Sequence, residues 1–515
     1  MANDDFRLAD VPRQHARERG DHPALTLDDT TITYRTLDER TTRIANALRT
    51  DGVRPGDRIA VLDKGSIEIG ELLFGAVKAG AVLIPLNWRL AEPELTAVLD
   101  DAGATMLFAG EEFAPTADRV AVAAGTVTKT VRLGKDYEEW LAAASGEDDG
   151  YRGDPDTVVF QLYTSGTTGR PKGVLTTNRT LSVLEDGAAP SWGIDADSVA
   201  LAAMPLFHIG GLGFLLVGLS FGAQVVIVRE LVPAALLDLV VERRVTNTFL
   251  VPSVIGMLCD LPGAAGRDYS ALRSIAYGAS PITPAQLRRA LATFGRPLFQ
   301  LYGLTETQGA IVQLDAEDHD PDGPRAHLMR AAGKPYPWVE LRIVDPATGA
   351  EASTGEAGEI LVRSVVNTPG YHNQPDATSA LLDDDGWLHT GDIGRLDGEG
   401  YLTISDRLKD MIITGGENVY PVEVEAVLAD HPDVAGVAVV GRADPRWGEA
   451  VTAVVVPRPG SALTADDLIG FARPRLAGYK LPKYVDFVEA LPLGPTGKVL
   501  KRELRAEYRK GATHR

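Results

Sequence analysis

The sequence predicts an α/β fold: a large N-terminal domain of parallel or mixed β-sheets flanked by helices, and a small, mobile α+β domain at the C-terminus. Three observations predict it. Strand-like and helix-like segments alternate through the first 400 residues, as they do where crossover helices cover parallel sheets. Near residue 400 that alternation changes to a denser mix of short strands and helices. The 515 residues, 44% of them apolar and 6% aromatic, suffice for roughly two to four packed domains and argue against disorder.

In chain order, RIAVLD (58–63) reads as a buried strand, 67–78 as an apolar-periodic helix and VLIPL (82–86) as the next strand. TVVFQLYT (157–164), QVVIV (224–228), TNTFLVP (246–252), SIAYG (274–278) and PLFQLYG (297–303) are further buried strands. A helix-like segment is expected from near Asn178. TPAQLRRALATFG (283–295) is a helix with Thr283 as its cap and Gly295 just past its end. Residues 209–228 carry no charge and are long enough to span a bilayer. Their five glycines, and the break at Gly222-Ala223-Gln224, instead divide the run into a buried helix and a short strand. From residue 400, GYLTISDRLKDMIITGGENVYPVEVEAVLADH passes from strand through a charged segment and a Gly-Gly turn into a helix. VAGVAVVG (434–441), VTAVVVP (451–457), a helix over 464–476 and YVDFVEAL (484–491) follow. The expected domains are 1–408 and 409–515, with the boundary near Lys409, and the basic tail from Arg505 is expected to be mobile.

Lys+Arg 51 against Asp+Glu 71 gives a net charge of -20. That balance disfavours general binding to nucleic acid or anionic membrane, both of which need positive charge facing phosphate. A single cysteine, Cys259, excludes an intramolecular disulfide framework and a multi-cysteine zinc site. It fits a reducing, cytoplasmic compartment. The first twenty residues alternate charges without an apolar core, unlike a secretory signal.

The most informative segment is Tyr163-Thr-Ser-Gly-Thr-Thr-Gly-Arg-Pro-Lys-Gly173. Gly166, Gly169 and Gly173 permit tight turns, Ser165, Thr167 and Thr168 add hydroxyls, and Lys172 adds a charge. Such a loop wraps backbone N–H groups around phosphate. It is not a Walker A loop, since two residues, not four, separate Gly166 from Gly169. On its own this loop is equally an ordinary surface loop.

YTSGTTGRPKG resembles the signature of the adenylate-forming superfamily, which includes acyl- and aryl-CoA synthetases, peptide-synthetase adenylation domains and luciferases. Four further segments match in the same order: MPLFHIGG (204–211), YGLTET (302–307), TGD (390–392) with SDRLKDMIITGGENVYPVEVE (405–425), and PTGKVLKREL (495–504). The resemblance implies a two-step reaction. A carboxylate attacks the α-phosphate of ATP, giving acyl-AMP and pyrophosphate; a thiol then attacks the mixed anhydride and releases AMP.

It also implies roles for particular residues. Thr164, Ser165, Gly166, Thr167, Thr168, Gly169 and Lys172 resemble the phosphate loop. Gly278, Ala279 and Ser280 resemble the backbone edge of the adenine pocket, and Tyr302 followed by Gly303 the aromatic stack on adenine. Thr305 and Glu306 resemble the hydroxyl beside the phosphates and the acid that places Mg2+, which takes few protein ligands. Asp392 resembles the ribose-binding carboxylate and Arg407 the arginine on ribose and phosphate. Read alone, Asp392 is a turn aspartate and Arg407 a surface partner of Asp406 or Asp410. Lys498 resembles the C-terminal lysine that serves adenylation. Lys409 falls at the family's hinge, where rotation withdraws Lys498 and brings the Gly415-Gly416 turn to the thiol channel.

His208 lies where the family faces the acyl group, and Phe207-His208-Ile209-Gly210 lacks the acid that pairs with an amino-acid ammonium. Gly210, Gly211 and Gly309 hint at space for an extended acyl group. A fatty or other hydrophobic acid is the first expectation and an aryl acid the second. The 442–449 and 478–483 segments resemble those of stand-alone CoA ligases, with Arg473, Arg475, Lys480 and Lys483 available to the 3′-phosphate of CoA. Leu481 departs from the basic residue of some aryl-CoA ligases. The same cations suit the phosphopantetheine arm of an acidic carrier protein. Expected partners are thus ATP, Mg2+, a carboxylic acid and CoA or a carrier protein, with a homodimer as an admissible assembly. Oxidative light-emitting chemistry also occurs in this superfamily, and no residue separately excludes it. A regulatory protein that lost catalysis is a further reading, opposed by the intact Lys172, Glu306, Asp392, Arg407 and Lys498.

Overall fold

The computed structural model describes residues 3, 5–165, 171–184, 189–280, 282–407, 410–414, 417–444, 446–476, 478–494 and 499–511. The chain divides into two compact units: Met1–Glu340 with Val362–Leu388, and Leu341–Leu361 with His389–Arg515. The expected hinge residue Lys409 lies outside the described residues.

The first unit holds two sheets. In the nine-stranded sheet, six strands run parallel in the order Leu298–Leu304, Ser274–Gly278, Asn247–Leu250, Val199–Ala202, Gln224–Ile227 and Pro23–Leu27. Antiparallel strands finish both ends: Gly309–Leu314 and Lys334–Pro335 on one, Thr30–Thr33 on the other. In the six-stranded sheet, Lys129–Arg132, Ala104–Ala109, Arg58–Leu62, Val82–Pro85 and Val158–Ser165 are parallel, and Pro171–Thr177 closes the edge antiparallel. Strands such as Ser274–Gly278 and Asn247–Leu250 are buried along their whole length, which is why they read as continuous apolar runs rather than alternating ones.

In the first unit, apart from the segment after Asn178, the expected strands and helices stand within about two residues of their sequence bounds. Thr283 caps the helix Pro284–Phe294 by accepting from the Gln286 N–H, and Gly295 ends it in the left-handed region at φ +58°. The uncharged run becomes the helix Ile209–Ser220, a turn with Gly222 at φ +72°, and the strand Gln224–Ile227. Among the described residues, no helix is long and apolar enough to cross a membrane.

The expectation near Asn178 needs correction. The segment after the phosphate-loop motif is the strand Pro171–Thr177, followed by a short 3-10 turn at Arg179–Leu181. Val158–Ser165 pairs with it from Val158 opposite Thr177 to Ser165 opposite Pro171, with one register shift between Val158 and Phe160, so the β-forming run Val174-Leu175-Thr176-Thr177 is taken up as strand. The motif is therefore a hairpin and not a strand–loop–helix turn.

In the second unit, Val339–Val344, Gly358–Ser364, Leu388–Leu396 and Leu402–Arg407 lie in that order in a four-stranded sheet. The five-stranded sheet runs Glu417–Val419, Ile412–Thr414, Gly448–Pro457, Val434–Asp444, with Tyr484–Phe487 parallel to Gly448–Pro457. Val424, Leu428, Val439, Val451, Val455 and Leu468 join its strands and the helices Pro421–Ala429 and Ala465–Ala472 in one core. The latter helix stops short of residue 476 because Pro474 has no N–H to continue it. The last strand stops at Phe487, opposite Val455. The expected mobile tail is the helix Lys501–Gly511, in which Arg505 pairs with Asp410 and Lys501 with Glu425 at 2.8 Å.

Candidate active site

Several proposed site residues of the first unit lie at or just past the carboxyl ends of parallel strands, the edge where open α/β sheets bind ligands. Gly278-Ala279-Ser280 leaves Ser274–Gly278, Thr305-Glu306 leaves Leu298–Leu304, and His208 lies a few residues beyond Val199–Ala202. Gly278 and Leu301 are register partners, so the first two segments leave neighbouring strands.

Each backbone is shaped locally. A Cβ on Gly278 would stand 2.2 Å from the Leu301 carbonyl oxygen, so only glycine closes that strand pair. Ala279 then adopts φ +66°, left-handed for a residue with a Cβ, which costs roughly 1–2 kcal/mol. Its methyl is exposed, so packing does not impose the conformation. Tyr302 is buried opposite Val312. The register shifts at Gly303, where a Cβ would lie 1.7 Å from the Gly309 carbonyl oxygen. That bulge sends the chain into the turn Thr305–Thr307, held by Thr307 Oγ1, which accepts from the Leu304 N–H at 2.9 Å and donates to the Gly309 carbonyl at 2.8 Å.

The hairpin carries Thr164 opposite Lys172. Gly173 is not a turn residue. It sits in the strand, where a Cβ would come 2.1 Å from Gln161 Nε2 and 3.0 Å from Tyr163 Cζ. The Gln161 amide donates to the Tyr163 hydroxyl at 2.9 Å, which donates to Asp101 Oδ2 at 2.7 Å. Burial, with Asp101 beside it, pushes the Tyr163 phenol up, so it stays protonated.

A segment that the sequence reading missed ties hairpin and turn together. Residues 370–372 add to the outer hairpin strand: Val174 bridges Tyr371, the Leu175 N–H donates to the Gly370 carbonyl at 3.1 Å and the His372 N–H to the Gly173 carbonyl at 2.8 Å. The Thr368 N–H donates to the Glu306 carbonyl at 2.8 Å. The Tyr371 hydroxyl donates to Glu306 Oε1 at 2.8 Å, and the Lys172 ammonium lies 4.6 Å from the Tyr371 ring centroid. Gln308, at φ +54°, completes the link by accepting from Thr176 Oγ1 at 2.5 Å. The Gly370-Tyr371 dipeptide is the only sequence mark of this strap, and nothing local shows that it pairs with residue 174.

His208 precedes the helix Ile209–Ser220 in extended conformation, its ring 4.4 Å from that of Phe207. A Cβ on Gly211 would meet the Pro205 and Met204 carbonyls at 2.2 and 2.4 Å, and one on Gly210 the Phe249 ring at 2.8 Å; close packing thus accounts for both glycines. Gly309 meets only Ile209, at 3.8 Å, at φ +112°.

In the second unit Asp392 and Arg407 are direct register partners, and Asp392 is buried. Thr390 Oγ1 accepts from the Asp392 N–H at 3.1 Å and donates to the Ile360 carbonyl at 2.7 Å, which fixes the aspartate's backbone. Glu423 binds the Lys480 ammonium at 2.6 and 2.7 Å, which neutralises one expected CoA-facing cation. The Arg475 guanidinium lies over Phe471 and Lys483 over Trp447, 3.9 and 5.6 Å from the centroids. Gly166, Thr167, Thr168, Gly169, Gly415, Gly416 and Lys498 lie outside the described residues, as do the side chains of Ser165 and Arg407.

A hairpin motif, a strained edge at the strand ends, and a lysine and a glutamate held by one tyrosine make an α/β site suited to a phosphorylated nucleotide. The chain belongs to the AMP-binding enzyme family: the AMP-binding enzyme description matches residues 12–372, and the AMP-binding enzyme C-terminal domain matches 423–498. It is 41% identical over 500 residues to the fatty acid–[acyl-carrier-protein] ligase ScoC of Streptomyces coeruleorubidus, covering 96% of this chain and 95% of the relative. It is 40% identical to a feruloyl-CoA synthase of Amycolatopsis sp, over 97% and 99% of the two chains. The ATP-bound crystal structure of MatB from Rhodopseudomonas palustris superposes with TM-score 0.89 at 31% identity, over 97% and 99% of the chains. The protein is thus an adenylate-forming, AMP-forming acid–thiol ligase of the acyl-CoA synthetase type, which binds ATP, activates a carboxylic acid and forms its thioester.

Proposed function

We propose that this enzyme activates a fatty or other hydrophobic carboxylic acid and passes the acyl group to CoA. The observation that carries the site reading is the convergence of Lys172 and Glu306, from distant parts of the chain, on the two sides of Tyr371. Lys172 and Thr164 meet the phosphates, Gly278-Ala279-Ser280 and Tyr302 with Gly303 hold adenine, and Asp392 and Arg407 hold the ribose. Ser165, Gly166, Thr167, Thr168 and Gly169 complete the phosphate loop. Glu306, next to Thr305, takes Mg2+. Tyr371 occupies only one of a carboxylate's four or so lone-pair sites, and Mg2+ asks for few protein ligands beside phosphate oxygens, so the donor set fits. When bound, Mg2+ neutralises charge that develops on the phosphates. Lys498 stabilises the adenylation transition state, Lys409 is the hinge between 1–408 and 409–515, and Gly415-Gly416 admits the thiol arm.

Hydrophobic acids are supported by the absence of an acid in Phe207-His208-Ile209-Gly210. Two relatives favour second readings: the ScoC likeness an acyl carrier protein as acceptor, the feruloyl-CoA synthase likeness an aryl acid. A cytoplasmic location is supported by the lone cysteine and the need for ATP. A homodimer belongs to the proposal and is read by light scattering.

The test is mass spectrometry of products from ATP, Mg2+ and a pool of fatty, aryl and amino acids, with and without CoA. Thioester formed only with CoA, on a fatty or other hydrophobic acid, is the expected result. Acyl-AMP accumulating without thioester moves the acceptor to a carrier protein, and an amino-acyl product overturns the acid reading. Lys498→Ala is expected to retain thioester formation from supplied acyl-AMP while adenylation falls roughly 10²–10³-fold; equal loss of both halves refutes its assignment.

A further inference from the structure

We propose that Tyr371 is a positioning residue for adenylation: its ring seats the Lys172 ammonium while its hydroxyl orients the Glu306 carboxylate, so that one side chain sets the placement of both phosphate-facing charges. The inference rests on the roles proposed above for Lys172 and Glu306.

The geometry is specific. The ammonium 4.6 Å from the ring centroid lies in cation–π range, and the hydroxyl reaches Glu306 Oε1 at 2.8 Å. One aromatic residue meets both groups through different parts of itself, the ring and the hydroxyl. The backbone holds the tyrosine from both sides. Val174 bridges Tyr371, and the Leu175 N–H donates to the Gly370 carbonyl at 3.1 Å and the His372 N–H to the Gly173 carbonyl at 2.8 Å. The Tyr371 N–H donates to Thr378 Oγ1 at 3.0 Å, and the Thr368 N–H holds the Glu306 carbonyl. The strap thus grips the strand that bears Lys172 and the turn that bears Glu306.

A plain packing role does not require the hydroxyl. A phenylalanine keeps the ring and its burial, and loses only the bond to Glu306. Orientation matters because the lysine and the carboxylate flank charge that rearranges during adenylation, and a loosely held pair forfeits part of its stabilisation. The long side chain of Glu306 also has more rotamer freedom to lose once this bond is gone.

Tyr371→Phe and Tyr371→Leu separate the two functions, with wild type and Glu306→Gln as controls. Pyrophosphate exchange driven by the acid that the product assay above selects gives kcat and the KM for ATP. Mn2+ titration of the ATP complex, followed by electron paramagnetic resonance, reads metal affinity without turnover. Tyr371→Phe is expected to weaken Mn2+ affinity about tenfold, the order of one charge-assisted hydrogen bond, and to leave the KM for ATP within about threefold. Tyr371→Leu is expected to add a further rise of about tenfold in the KM for ATP as Lys172 loses its seat. Tyr371→Phe should still unfold cooperatively and remain folded at the assay temperature, with a fall in Tm no larger than the loss of one charge-assisted hydrogen bond explains. Unchanged Mn2+ affinity in Tyr371→Phe overturns the proposal, as does a Tyr371→Leu defect that phenylalanine reproduces in full. If Glu306→Gln leaves Mn2+ affinity intact while wild type turns over, the metal assignment of Glu306 fails instead, and the two failures are distinguishable.

Discussion

Gly173 offers the most direct test of how the hairpin motif works. Replacing it with alanine places a methyl 2.1 Å from Gln161 Nε2 and 3.0 Å from Tyr163 Cζ. The methyl enters only if Gln161, which is fully buried, moves. Moving it breaks the Gln161–Tyr163 bond and strains the Tyr163–Asp101 bond. These contribute about 0.5–1.5 and about 1.5–3 kcal/mol. Overpacking alone costs typically 1–3 kcal/mol, while the stiffer unfolded chain of alanine returns about 0.4–1 kcal/mol. With the second bond only strained, Gly173→Ala is expected to destabilise the first unit by roughly 2–4 kcal/mol. Urea unfolding followed by tryptophan fluorescence measures it. The decisive comparison is a double-mutant cycle with Gln161→Ala, which clears the collision: the glycine substitution should then cost about 1–2 kcal/mol less. If Gly173→Ala leaves stability within about 0.5 kcal/mol of wild type, or costs as much in the Gln161→Ala background, the packing argument fails. A direct phosphate role would leave stability intact and raise the KM for ATP, whichever residue stands at 161.

Two further outcomes follow from the same geometry. Ala279→Gly relieves about 1–2 kcal/mol of left-handed strain against about 0.4–1 kcal/mol of added unfolded-state entropy, so stability should rise by roughly 0.5–1 kcal/mol in urea unfolding; a loss of stability contradicts the strain. His319 is buried with Nδ1 2.8 Å from the Asp315 carbonyl and Nε2 2.9 Å from the Tyr277 hydroxyl, and burial holds its pKa below the ordinary histidine value. The unfolded chain therefore binds a proton that the fold refuses, so stability falls as pH drops through about 6.5 towards the lowered folded value. His319→Gln should flatten that part of the profile, and an unaltered slope between pH 7.5 and pH 5.5 speaks against the assignment.

The parallel strands were legible because each is short, apolar and bounded by turn residues; SIAYG (274–278) keeps its bounds in the structure. The cap at Thr283 and the stop at Gly295 were legible because both act within one helical turn. The helix expected from near Asn178 was misread because Asn178 is committed to distant partners: its side chain accepts from the Leu8 N–H at 2.9 Å and donates to the Asp154 carbonyl at 3.0 Å, and Thr180 Oγ1 turns back on Thr177. The long helix Tyr34–Thr50 passed unremarked, since its apolar positions are diluted by Arg and Thr, although Thr33 caps it through the Thr36 N–H.

For the site, the sequence supplied the chemical groups and the fold supplied their coupling. Lys172 and Glu306 could be named from their motifs, because each stands in a string with its own turn residues. Tyr371 could not, since its function depends on three contacts with residues 172, 174 and 306, none of them near it in sequence. The same distance alters the meaning of the motif glycines. A glycine-rich string suggests freedom for a phosphate loop, yet Gly173 is glycine because Gln161 and Tyr163 fill the space above it, and Gly303 because the Gly309 carbonyl does. Lys172 therefore stands next to a residue locked between a buried amide and the 370–372 segment. A lysine held in this way meets phosphate with its backbone already ordered. Its orientation is then left to the face of one aromatic ring, which is why a substitution at Tyr371 should register in ATP and metal binding and not in stability alone.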